Sequence, residues 1–232
     1  AVDSSLQGNN GTLEGEVSWA AGHDGGAVEF DGGRILVPDT EELRPTDVVS
    51  ACAWVWFSDS QNNARIVVKG AGDRETFGLE VDGAEEAVFH IRDANNARFA
   101  ASEDVLNVNE WFHLAGTFDG DILRCYVNGV LVADNDEPDN IILSQDPNDF
   151  AIGNRSDDDN RGFKGIIDDV RVYSRALSEA ELAYLASDGT GVVSMQSPAN
   201  LHDEELPGDR AVNFKDYAVL INGWLERKLW PE

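Results

Sequence analysis

The chain has 232 residues, with 44 acidic against 17 basic side chains and a formal net charge of −27. A surface that negative repels nucleic acid phosphates and anionic membranes, so neither is an expected partner. No apolar run approaches the ~18 residues needed to cross a bilayer as a helix, and the charge suits a protein that lives with divalent cations or in salty water.

Glycine at 22, tryptophan at 6 and phenylalanine at 10, against a single methionine, suit strands and turns better than a helical bundle. The length allows one good core. The chain opens on Ala1 rather than Met, as expected of a processed or truncated product. From Gly26 to Tyr173 short apolar segments alternate with Gly, Asn and Asp. The predicted strands are 27–30, 34–38, 48–58, 64–70, 77–81, 87–93, 111–118, 122–129, 130–134, 150–154 and 165–173. Strands at intervals of roughly 8 to 12 residues, with turn signals between them, predict an all-β sandwich or barrel. Asp82-Gly83 and Asn128-Gly129 are the strongest hairpin signals. Cys52 and Cys125 each sit in an apolar strand-like run, and read either as one disulfide or as two free buried thiols.

After Tyr173 the pattern changes. Ser178 and Glu181 make a capping box ahead of a short helix that Gly189 ends. Residues 189–212 carry Gly, Pro and acidic residues without periodicity and read as a linker. A second helix over 213–232, capped by Asn213, places Phe214, Tyr217, Ala218, Leu220, Ile221, Trp224 and Leu225 along one face. Such a helix is marginal alone and needs a surface to dock on, from its own sandwich or from another chain.

Three groups of segments carry a resemblance. The first is DSSLQGNNGTLEG with GGAVEFDGGRILVPDTEEL; the second is VSACAWVWF with NEWFHLAGTFDGDILRCYVNGVLVA. The third is FAIGNRSDDDNRGFKGIIDDVRVYSRALSEAELAYL. Over about residues 3–187 the chain resembles the laminin G-like, concanavalin A-type jelly-roll domains of bacterial secreted and cell-surface proteins. The resemblance implies two antiparallel sheets packed face to face across residues 1–188, and a location outside the cell. It also implies a strand ahead of the DSS motif, beside the strand of 165–173, that this chain lacks. That strand is expected either to have been cut away or to be supplied by a neighbouring subunit through strand addition. The tail, GDRAVNFKDYAVLINGWLE, resembles half a dockerin. With Asp216 at the twelfth position of its calcium loop, Pro207 supplies no side-chain oxygen and Arg210 stands where the loop wants glycine, so the loop is degenerate.

The resemblance further implies a structural calcium ion (Ca2+) held by Asp31, Gly33 and Asp168, with Asp169 as the alternate to Asp168. Asp157, Asp158, Asp159 and Asn160 are expected to be solvated charge. Glu80, Asp82 and Glu85 spell the Glu-x-Asp-x-x-Glu signature of laminarinase-like glycosidases, a chemistry that needs two carboxyls on one face ~5–5.5 Å apart. The Asp82-Gly83 turn signal places Glu85 across a hairpin, so catalysis is not expected. His23, His90, His113 and His202 lack metal-ligand spacing, and the resemblance implies a structural role for His113 and a packing role for Trp54 and Trp111. Trp19 and Trp56 remain as candidates for ligand contact. The expected function is a non-catalytic extracellular recognition or adhesion module, binding glycans or cell-surface polymers and stabilised by calcium. The alternatives are a subunit of a surface layer or filament joined by self-association, and a glycosidase.

Overall fold

The computed structural model describes residues 1–5, 7–93, 96–136, 141–157 and 160–187, and the chain divides into two units, 1–177 and 178–232. In the first unit, β1 covers Thr12–Glu14, β2 Val17–Ala21, β3 Gly26–Asp31, β4 Arg34–Val37, β5 Val49–Trp56, β6 Ala64–Lys69 and β7 Phe77–Val81. There follow β8 Glu86–Arg92, β9 Ala97–Val105, β10 Trp111–Phe118, β11 Ile122–Val127, β12 Val130–Asp136, β13 Phe150–Ile152 and β14 Lys164–Tyr173. They form two seven-stranded antiparallel sheets, ordered β1-β4-β13-β6-β7-β8-β9 and β12-β11-β10-β5-β14-β3-β2. This is an all-β sandwich, one of the two forms the strand pattern predicts, and the jelly roll that the resemblance implies.

Alternation decides which side chains enter the core. Strand β5 sends Val49, Ala51, Ala53 and Val55 between the sheets, and so turns Ser50, Cys52, Trp54 and Trp56 to the outer face. Strands β7 and β8 send in Phe77, Leu79, Val81, Ala87, Phe89 and Ile91. Each fully buried Leu, Ile or Phe contributes about 1.5–3 kcal/mol. Both hairpin signals are realised. Asn128 and Gly129 have φ of +51° and +76° between β11 and β12, the pair of positive angles that a type I′ turn requires.

Three strands escape the sequence pattern. Strand β1 is three residues long, and β2 has no buried residue. Strand β9 buries only Ala100 and Ser102. It is held by pairing with β8 rather than by apolar alternation.

The cysteines are both free and buried. Cys52 lies opposite Ala115, and Cys125 opposite the next residue, Gly116. Two strand spacings separate them by ~10 Å, beyond the ~7 Å that a disulfide spans, and only Cys125 belongs to the core between the sheets. Burial pushes both thiols up to about 12.

Within the second unit, α1 spans Glu179–Leu185 with its predicted capping box in place. Glu181 N donates to Ser178 Oγ at 3.3 Å, and Ser178 N donates to Glu181 Oε2 at 2.9 Å. The predicted linker of 189–212, the helix of 213–232 and its dockerin-like loop lie outside the described residues.

Candidate functional site

The register of the second sheet assembles a row that no local stretch of sequence contains. Trp111 lies opposite Trp56, Trp56 opposite Ile166, Ile166 opposite Glu29, and Glu29 opposite Ser18. Paired residues share a face, and Trp56 belongs to the outer set of β5. The five side chains therefore form one strip across the outer face, spanning β10, β5, β14, β3 and β2. At ~4.8 Å per strand the strip is ~19 Å long. Trp111, Trp56 and Ile166 are half-buried, while Glu29 and Ser18 are exposed.

Beside the strip runs a second row in which Trp54 lies opposite His113 on one flank and Asp168 on the other. His23 stacks on Trp54, with ring centroids 3.6 Å apart and planes 10° from parallel, and its ring also lies 5.5 Å from that of Trp111. Trp54 is thereby buried on the outside of the sheet, not between the sheets. His113 is buried as well, and its backbone N–H donates to Asn128 Oδ1 at 2.9 Å. Trp19 is 66% exposed. It lies opposite the core residue Val28, on the other face of the sheet from the strip.

The residues expected to hold calcium are not brought together as one set. Asp31 lies opposite Lys164, with its Oδ1 3.0 Å from Lys164 Nζ. It shares the β3–β4 turn with Gly33. Asp168 lies four residues along β14 from Lys164, ~13 Å away at strand rise, whereas calcium ligands stand 2.3–2.6 Å from one ion. The Asp168 carboxylate accepts from the backbone N–H groups of Asp24, at 3.1 Å, and Asp169, at 2.8 Å. Asp169 occupies a bulge in β14 with φ of +45° and pairs with Arg171 at 2.7 Å. Among the described residues no group of His, Cys, Asp and Glu side chains gathers to hold a metal ion. Asp157 pairs with Arg155 at 3.0 Å; Asp158 and Asp159 lie outside the described residues.

Glu80, Asp82 and Glu85 also point to different tasks. Asp82 Oδ1 accepts from the N–H groups of Ala84, at 2.8 Å, and Glu86, at 3.1 Å, organising the β7–β8 turn. Glu85 sits in that turn with φ of +65° and accepts from Ser60 Oγ. Glu80 alone projects from the strand. It belongs to a buried ionic cluster on the outer face of the first sheet that sequence reasoning did not anticipate. Arg65 pairs with Glu80 and, at 2.9 Å, with Glu75; His90 Nε2 lies 3.0 Å from Glu75 Oε2, and Arg155 Nε 3.4 Å from Glu75 Oε1. Burial pushes the Glu75 carboxyl up, but His90 and the Arg65 guanidinium outweigh it and hold it at about 2. Burial lowers His90 and Arg65. A carboxyl held that low keeps its charge at neutral pH. The signal for this cluster in the sequence is a single polar residue inside each of three apolar runs: Arg65 in β6, Glu80 in β7 and His90 in β8.

Comparison with known proteins gives the fold a context. The structure is similar to domain 4 of AbnA, an extracellular arabinanase of Geobacillus stearothermophilus solved in complex with arabinotriose. That match has a TM-score of 0.62 and 24% identity over 76% of this chain and 87% of the other. It is also similar to the binding domain of Paraclostridial Mosquitocidal Protein 1, at TM-score 0.66 and 15% identity over 81% of this chain and 49% of that one. The binding domain of botulinum neurotoxin serotype G matches at TM-score 0.63 and 18% identity, over 86% and 49%. The chain spans about half the length of the two toxin domains. No curated protein sequence matches it. Residues 29–183 match the family model of the concanavalin A-like lectin/glucanases superfamily, of the laminin G type, and the chain belongs to that family.

Proposed function

We propose that the protein is a non-catalytic recognition or adhesion module that binds a neutral glycan outside the cell. The observation that carries this reading is the outer strip of Trp111, Trp56, Ile166, Glu29 and Ser18. Two adjacent indoles and an isoleucine offer an apolar platform to the C–H faces of sugar rings, and the carboxylate and hydroxyl that continue the strip accept and donate hydrogen bonds. Its ~19 Å length suits an oligosaccharide rather than a single sugar. The net charge of −27 disfavours an anionic polymer. Family membership and the likeness to an arabinanase domain solved with arabinotriose support the reading.

The test is titration calorimetry of the protein with neutral arabino-, xylo- and gluco-oligosaccharides. Saturable binding is expected, weakened in Trp56→Ala and Trp111→Ala. Failure of the parent protein to bind any neutral glycan across a broad array would overturn the proposal. The non-catalytic part is tested by incubation with the bound glycan. No release of shorter sugars is expected, and release that Glu80→Gln abolishes would overturn it. Calcium stabilisation is a separate proposal. Asp31 and Gly33 are the expected ligands that share a turn, in a hollow that also takes in Glu14, Glu16 and Gly32.

A further inference from the structure

Strands β2 and β3 are joined through the sequence AGHDGG, in which glycines flank His23 and Asp24. A hydrogen bond from Gly22 N–H to Gly25 O, at 3.0 Å, closes this loop. One side chain of β14 holds it against the outer face of the second sheet. Asp168 Oδ2 accepts from the backbone N–H of Asp24 at 3.1 Å, across 144 residues of sequence, while Asp168 Oδ1 accepts from Asp169 N–H at 2.8 Å. Gly22 lies so close to that carboxylate that a Cβ at position 22 would collide with Asp168 Oδ2. An acceptor at 168 and the absence of a side chain at 22 therefore form one fitted pair, joined by the fold alone.

The loop so held carries His23. Its ring stacks on Trp54 at 3.6 Å and 10°. Trp54 is braced in turn by His113, with ring centroids 5.4 Å apart and planes at 68°, and is only 8% exposed. His23 thus stands on a fixed base, and from it meets the ring of Trp111 at 5.5 Å and 72°, an edge-to-face contact. Trp111 has need of that support. It is the first residue of β10, where pairing with Trp56 fixes its backbone but not its two side-chain torsions. An aromatic side chain ordered before its ligand arrives spares the complex the cost of ordering it. We propose that Asp168 and His23 are positioning residues of the glycan strip. The Asp168 carboxylate holds the 22–25 loop on the sheet, and the His23 ring placed there fixes Trp111 in the orientation that receives a sugar. This inference rests on the reading of the strip as a glycan platform, and gives Asp168 a task that needs no metal ion.

Two measurements test this. The first needs no ligand: oxidation of the tryptophans by N-bromosuccinimide, read residue by residue by peptide mass spectrometry. Trp54 is expected to oxidise faster in His23→Ala, Asp168→Ala and Gly22→Ala than in the parent protein, and at the parent's rate in His23→Phe, whose ring can take the same stack. Gly22→Ala acts from the other side, since its methyl group displaces the Asp168 carboxylate, and it carries the test if urea denaturation shows Asp168→Ala to be unfolded. An unchanged rate in the alanine variants would overturn the hold of Asp168 on the loop. The second is titration calorimetry with neutral arabino-, xylo- and gluco-oligosaccharides. His23→Ala and Asp168→Ala should each weaken binding by about two- to tenfold, the cost of ordering one side chain, and His23→Phe should retain it. Asp168→Ala should add nothing in a His23→Ala background, because it acts through His23; additive losses would overturn that route. Unchanged binding in His23→Ala would make the loop a bystander and tighter binding would make it a lid, and either would overturn the proposal. Failure of the parent protein on a broad array of neutral glycans overturns the recognition reading and with it the strip, while the oxidation rates still decide whether Asp168 places His23.

Discussion

The ring of Phe89, from the first sheet, occupies the place that a side chain on Gly116 of the second sheet would need. A methyl group there meets the ring itself, so Gly116→Ala overpacks the core. The expected cost is about 1–3 kcal/mol, read as a lowered urea midpoint with an unchanged slope. Adding Phe89→Leu should return part of the loss, because the two sites share one space. A midpoint unchanged in Gly116→Ala contradicts this packing.

The buried ionic cluster should be costly to open from one side. Arg65→Met leaves Glu80 without its guanidinium and Glu75 with only His90 and Arg155 beside it, each carboxylate being 5% exposed. Stranding buried carboxylates typically costs about 3–5 kcal/mol, to be measured by chemical denaturation with circular dichroism confirming the fold. A loss below ~1 kcal/mol would show that the carboxylates find other partners.

Acid should weaken the protein in two stages. His90 is lowered below its ordinary 6.5 by burial. Its unfolded form therefore gains a proton first, and stability is lost as pH falls below about 6.5. Glu75 falls from 4.5 to about 2, so its contribution is complete above about 4.5 and is lost as pH falls toward 2. At 1.36 kcal/mol per pH unit that contribution is roughly 3 kcal/mol. Melting temperatures from pH 8 to 3 read both stages, and His90→Gln should remove the first. A profile flat from pH 6.5 to 3 would refute the assignment.

On the glycan strip, Trp56→Ala and Trp111→Ala are each expected to weaken binding by about tenfold or more, as for an aromatic anchor in an interface. Trp19→Ala should leave the affinity unchanged, because Trp19 is on the opposite face of the sheet. Loss of binding in Trp19→Ala alone would move the glycan site to the other face of that sheet.

Calcium binding to the folded state alone would raise the melting point. At a free concentration 100 times the dissociation constant the gain is about 2.7 kcal/mol. The expected result is a melting temperature raised by calcium, lowered by a chelator and insensitive to both in Asp31→Asn. Identical melts with calcium and with chelator would remove the ion from the account of this protein.

Much of the sandwich is legible because its signals are local. The apolar runs of β5, β7 and β8 reveal the strands. Asn128-Gly129 marks its hairpin, and Ser178 with Glu181 marks the start of α1, since each depends on residues within one turn. Strands β2 and β9 lack such a signal. Their residues are mostly exposed, and they are strands because a neighbouring edge pairs with them. The site is harder still. Trp111, Trp56, Ile166, Glu29 and Ser18 come from five separate strands and share a strip only through register. Register also sets Asp31 apart from Asp168, and closes the ionic cluster around Glu75 from β6, β7, β8 and two loops. By itself the sequence determined the class of fold and the positions of its central strands, because apolar runs and turn signals act over a few residues. Only the tertiary structure decided which outward-facing residues meet, because that depends on pairings between distant segments that no local pattern records.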